Sequence, residues 1–141
     1  MIAAKGAFVD EPFLSIRWDG VHNQVLSEWR GSANSKELRS GLLRGIKVIS
    51  DHRAVAYVSD ARKVKVIVHD DQKWIKETWL PLAIDAGLRR IAWVTAPAGL
   101  GQATVEDVAG LVGDSGVRTG TFDSMARARD FVKEHEGVHH G

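Results

Sequence analysis

The chain has 141 residues, and its 19 Lys and Arg nearly balance its 18 Asp and Glu. That length suffices for one domain with a core of its own, while the charge balance argues against a dedicated nucleic-acid binder, which carries a basic excess or stripe. The lack of cysteine excludes disulfides, thiolate metal sites and a cysteine nucleophile, and no apolar run approaches the roughly 18 residues of a transmembrane helix.

Residues 1–12 read as an N-terminal leader. The stretch has no apolar h-region and is interrupted by Lys5, Asp10 and Glu11, so no signal peptide is expected, and a cytoplasmic location is. Phe13 to Trp18 alternates, with Leu14, Ile16 and Trp18 on one face, and Val25 to Trp29 alternates likewise. With the turn dipeptide Asp19-Gly20 between them, the two runs predict an opening hairpin. Asn34 or Ser35 then caps a helix carrying Leu38, Leu42, Leu43, Ile46 and Ile49, and Asn34 with Glu37 resembles a capping box. Gly41 and Gly45 weaken that helix by up to about 1 kcal/mol each. They read as loose packing on the sheet rather than as seats for a close neighbour. Ala54 to Asp60 is a nearly continuous apolar run that suits a central parallel strand, followed by a weakly alternating loop, Lys63 to His69.

A helix follows, with Asp70 or Asp71 as the N-cap and Gly87 as the left-handed stop. Ile75, Trp79, Leu82, Ala83 and Ala86 recur at helical spacing and predict its buried face, with Trp74, Leu80 and Ile84 off that face. Pro81 lies inside the pattern, where it removes the bond to the Glu77 carbonyl at a cost of about 3 kcal/mol in an undistorted helix. A kink, or two helical pieces meeting at Trp79–Pro81, is therefore expected. Arg90 to Thr95 is the next buried strand. Thr104 is expected to cap a short helix with Val105, Val108, Ala109 and Val112. Val117 to Phe122 is the last strand, and Asp123 or Ser124 caps a final helix. Residues 13–133 thus form one domain, and 134–141 a polar tail. The order is β-β-α-β-α-β-α-β-α: an α/β fold with a mostly parallel sheet of about five strands, opened by a hairpin, and four main helices.

Several stretches carry a family resemblance: Asp60-Ala61-Arg62 at a strand end, Asp71-Gln72-Lys73-Trp74-Ile75, Trp79-Leu80-Pro81-Leu82-Ala83, Ala86-Gly87-Leu88, Ile91-Ala92-Trp93-Val94, and Phe122 to Ala128. On these, over roughly residues 13–132, the chain resembles the SpoIIAA-like family, also described as STAS/SEC14-like. The resemblance implies the STAS fold, and its SEC14-like side implies an apolar cavity or groove and contact with lipid. Anti-sigma-factor antagonists of the STAS class carry a phosphorylatable serine at the start of the helix after the third strand. Here Val64 to Trp74 contains neither Ser nor Thr, so no such phosphoswitch is expected.

Two candidate sites follow. Ligands of open α/β sheets bind beyond the carboxyl ends of the strands, where Asp60, Arg62, His69, Asp70 and Asp71 gather. The alternative there is an Asp60–Arg62 ion pair that holds the loop. Trp74, Trp79, Leu80 and Ile84 form the second candidate, lining a lipid-sized cavity or dipping into a membrane interface. Its alternative is core packing for one tryptophan and a dimer contact for the other. No HExxH pair, GxSxG elbow or phosphate loop is present. Neither a metal nor a cofactor is expected, and no catalytic residue is assigned. The expected function is a non-enzymatic binding or regulatory module whose partner is an apolar small molecule or lipid, a membrane surface or a protein, including a second copy of the chain. A lipid carrier is the first alternative. An enzyme is the second, and it would require Asp60 and His69 to converge within hydrogen-bond reach.

Overall fold

A computed structural model describes residues 7–31, 33–97 and 100–133. The predicted tail and the first six residues of the predicted leader lie outside them. Within the stretch read as a leader, Ala7–Glu11 forms β1, paired antiparallel with β2 (Leu14–Asp19). Among the described residues the sheet therefore has six strands rather than about five. β2 and β3 (Gln24–Trp29) make the expected hairpin, and β3, β4 (Ala56–Asp60), β5 (Arg90–Val94) and β6 (Arg118–Phe122) are parallel. The spatial order is the sequence order, β1 to β6. Every residue of β4 is buried and β5 nearly so, as expected of parallel strands covered on both faces.

Side chains alternate between two cores. Val25, Tyr57, Ile91 and Trp93 face the larger one, beneath α1 (Ser35–His52), α3 (Leu80–Ala86) and α4 (Leu100–Gly113). Leu26, Val58, Ala92 and Val94 face a smaller one under α5 (Met125–Phe131). No helix of the described residues is long and apolar enough to cross a membrane.

The capping box of α1 is present: Asn34 Oδ1 accepts from the Glu37 N–H at 2.8 Å and Glu37 Oε1 accepts from the Asn34 N–H at 3.0 Å. Such a cap contributes about 1 kcal/mol. The reading of loose packing around Gly41 and Gly45 is overturned. A Cβ at Gly41 would collide with the Leu14 side chain and lie 2.9 Å from the Trp29 ring, and one at Gly45 would lie 2.8 Å from the Tyr57 hydroxyl. The two glycines let α1 settle directly onto large side chains of the sheet. Ser124 caps α5, as expected.

Asp19 fastens the opposite end of the sheet. Its Oδ1 accepts the N–H groups of Val21 and His22 at 3.0 and 3.2 Å, and its Oδ2 meets the His22 ring and Arg129. Arg129 also donates to Gln24, whose amide donates back to the Arg129 carbonyl. Burial pushes the Asp19 pKa up, but the hydrogen bonds from His22 and Val21 and the charge of Arg129 outweigh it and hold the carboxyl below its ordinary value. A depressed pKa contributes stability above the unfolded value and loses it as pH falls through the folded one. The gap in urea midpoint between the native protein and Asp19→Asn is therefore expected to be constant near neutrality. It should close as pH drops below about 3.9, and a pH-independent gap would count against this linkage.

Candidate functional site

At the carboxyl end of the sheet, Asp60 and Arg62 form a bidentate pair, Arg62 Nε to Asp60 Oδ1 at 2.9 Å and the terminal nitrogen to Oδ2 at 2.7 Å. The Arg62 N–H also reaches Asp60 Oδ1 at 3.2 Å. Hydrogen bonding to Asp60, then its charge and that of Glu28, push the Arg62 pKa above its already high value. Both Asp60 oxygens are thus engaged, and Asp60 faces a shallow pocket of about 210 Å³ with Ser15, Arg17 and Glu28. His69 is exposed at the start of α2 (His69–Trp74) and makes no hydrogen bond to Asp60. The pair required for an enzyme is not assembled.

Neither Asp70 nor Asp71 caps the helix. The N-cap is Val68, with no side-chain cap bond. Asp71 is instead buried against α1, where its carboxylate accepts from Ser35 Oγ at 2.7 Å and Arg39 Nε at 2.9 Å. A first-turn carboxylate still suits the positive end of the helix, but its hydrogen bonds tie two helices together. Arg39 also lies 5.2 Å over the ring of half-buried Trp74, a cation–π contact that occupies one face of that indole.

The break expected at Pro81 takes the form of a π-turn, Ile75–Trp79, between α2 and α3, in which the Leu80 N–H reaches back five residues to the Ile75 carbonyl. Pro81 has no N–H for the Glu77 carbonyl, and its ring would crowd that oxygen in a regular helix. Widening the preceding turn relieves both problems. It also inserts one residue into the periodicity. Ile75 and Trp79 are buried as predicted, but beyond the turn the phase advances, so Leu80 turns inward and Leu82 is left 46% exposed. Trp79 is core: fully buried, its Nε1–H donates to the Leu42 carbonyl at 2.8 Å and its ring meets Tyr57 edge-on at 6.4 Å.

Of the four residues in the second candidate site, Leu80 and Ile84 come together, and Trp74 and Trp79 do not join them. With Pro81 and Leu111, Leu80 and Ile84 form the apolar wall of an open groove of about 430 Å³ between α3 and the end of α4. Each of these helices leads into a strand of the same parallel array, so they run in the same direction. Lys76 marks the amino end of the groove; Asp85, Asp114 and Ser115 mark its carboxyl end. Asp85 and Asp114 make no ion pair or side-chain hydrogen bond among the described residues. Leu111 was missed in the sequence because it lies off the Val105–Val108–Val112 face; an apolar residue off the buried stripe of its helix was the available signal.

The loop from Ala61 to Val68 separates this groove's helix from the strand ends. It forms neither strand nor helix, and it is fastened at several points. The Val64 N–H donates to the Ala61 carbonyl at 3.1 Å, the Ile67 N–H to Thr104 Oγ1 at 3.3 Å, and Gln72 to the Ile67 carbonyl at 2.8 Å. Thr104 is therefore not a cap. It sits one turn inside α4, where its hydroxyl donates to the Gly101 carbonyl at 3.1 Å. Among the described residues no group of three His, Asp or Glu side chains converges as a metal site. Compared with models of known protein families and with curated protein sequences, the chain matches none.

Proposed function

We propose that this chain is a non-enzymatic binding module of the SpoIIAA-like, STAS-like kind, and that its ligand is an apolar small molecule held in the α3–α4 groove. The observation that carries the reading is the groove itself: Leu80, Pro81, Ile84 and Leu111 present an apolar wall with charged groups only at its ends, the usual composition of a small-molecule site. The mixed sheet and the placement of its helices agree with the fold that the sequence resemblance implies. The engagement of Asp60 by Arg62 speaks against the enzymatic alternative. The groove is open along one side, which favours reversible capture of a small molecule over enclosure of a whole lipid.

Native mass spectrometry of the purified protein, followed by organic extraction, tests the reading. A co-purifying apolar compound whose retention is abolished by Ile84→Asp supports it. A compound retained equally by that variant, or a clean apo mass together with no response of the Ile84 and Leu111 amides to apolar probes by NMR, would sink it.

A further inference from the structure

We propose that the α3–α4 groove selects apolar molecules that carry a cationic end, with Asp85 and Asp114 receiving the cation. The inference deepens the ligand-site reading above and rests on it. Asp85 stands in the last turn of α3, and Asp114 directly follows α4. The C-terminus of a helix carries partial negative charge, so a carboxylate has the wrong sign there. Neither helix places a basic residue in its last turn. Arg89 donates to the carbonyls of Ile84 and Leu88 at 3.2 and 2.8 Å, which answers the end of α3, but it forms no ion pair with Asp85 and does not line the groove. Among the described residues, two carboxylates without an ion pair, Asp85 and Asp114, thus line the groove near the carboxyl ends of its two helices, and the one basic residue that lines it, Lys76, stands in the preceding π-turn. The groove's volume of about 430 Å³ is that of a small-molecule site, and the ligand is a small molecule rather than a partner helix. An apolar body along Leu80, Ile84 and Leu111 with an ammonium between Asp85 and Asp114 satisfies both the wall and the end.

The test is a titration of the isotope-labelled full chain with n-octylammonium, n-octanol and n-octanoate, read by NMR at the Leu80, Ile84, Leu111 and Ser115 amides. Octylammonium is expected to bind about tenfold more tightly than octanol. That preference should disappear in the double variant Asp85→Asn, Asp114→Asn, while octanol affinity is kept. Both residues are exposed, so the variant should fold. Equal binding of octylammonium and octanol, a preference for octanoate, or a cation preference that survives the double substitution overturns the charge assignment and leaves the groove as a ligand site. No response of these amides to any probe overturns both.

Discussion

Trp79→Ala is expected to cost about 3–5 kcal/mol of folding stability, the range for truncating a large aromatic in a packed core. Trp79 is 0% exposed and belongs to the same core as Tyr57, Ile49 and Leu88. Its loss would leave a cavity between α1 and the π-turn, and would remove the indole N–H that the Leu42 carbonyl accepts in addition to its own helical bond within α1. Trp79→Phe keeps one aromatic ring and loses the donor with the rest of the indole, and should cost less than the alanine variant. The check is a urea melt followed by circular dichroism. A loss below about 1 kcal/mol for the alanine variant would mean that this tryptophan belongs to a movable surface element instead.

Gly101→Ala should be the second most damaging of these changes, at about 1–3 kcal/mol. The usual expectation for Gly to Ala inside a helix is the opposite, a gain of up to about 1 kcal/mol. Here a Cβ would be driven into the Val64 carbonyl oxygen and would lie 2.9 Å from that of Lys65. Both are backbone atoms, so no rotamer change relieves them, and the fastened loop over α4 must move as a whole. Gly110, in the same helix, has no atom within 4 Å of a built Cβ. Gly110→Ala is the control and should stabilise. Hydrogen exchange should show faster opening of Val64 to Ile67 in Gly101→Ala alone; equal behaviour of the two variants would show that the loop is not seated on this helix.

The parts of the fold that were legible in the sequence are those written in local chemistry. The Asn34–Glu37 box, the Ser124 cap, the alternation through Leu14, Ile16 and Trp18, and the break at Pro81 are each set by a few adjacent residues. The Asp60–Arg62 pair was legible for the same reason, being two residues apart at a strand end. What escaped depends on contacts distant in sequence. Ala7–Glu11 is short and pairs with a shifted register between Ala7 and Val9, so no clean alternation announces a strand. Asp71 has the composition of a cap, but Ser35 and Arg39, more than thirty residues earlier, claim its oxygens. Leu82 and Leu80 exchanged places because a single inserted residue at the π-turn rotates everything after it. Half of the candidate site was misplaced as well: the apolar wall of the groove on this helix, Leu80, Pro81 and Ile84, lies beyond the π-turn, while Trp74 and Trp79 lie before it or within it.

The strand order β1 to β6 also shapes how the molecule comes into being. Each strand joins the outer edge left by its predecessor, and none has to be threaded between two that are already paired. Chain entropy is therefore lost in small instalments, since each new pairing closes only the loop made by one intervening connection. The sheet can grow in the direction of synthesis, its carboxyl edge serving as the template for the next strand to emerge. The exception is the last helix, which reaches back across the finished sheet so that Arg129 meets Gln24 and Asp19, partners 105 and 110 residues away. That junction can form only once the last helix has been made, as a clasp that joins the end of the fold to its beginning.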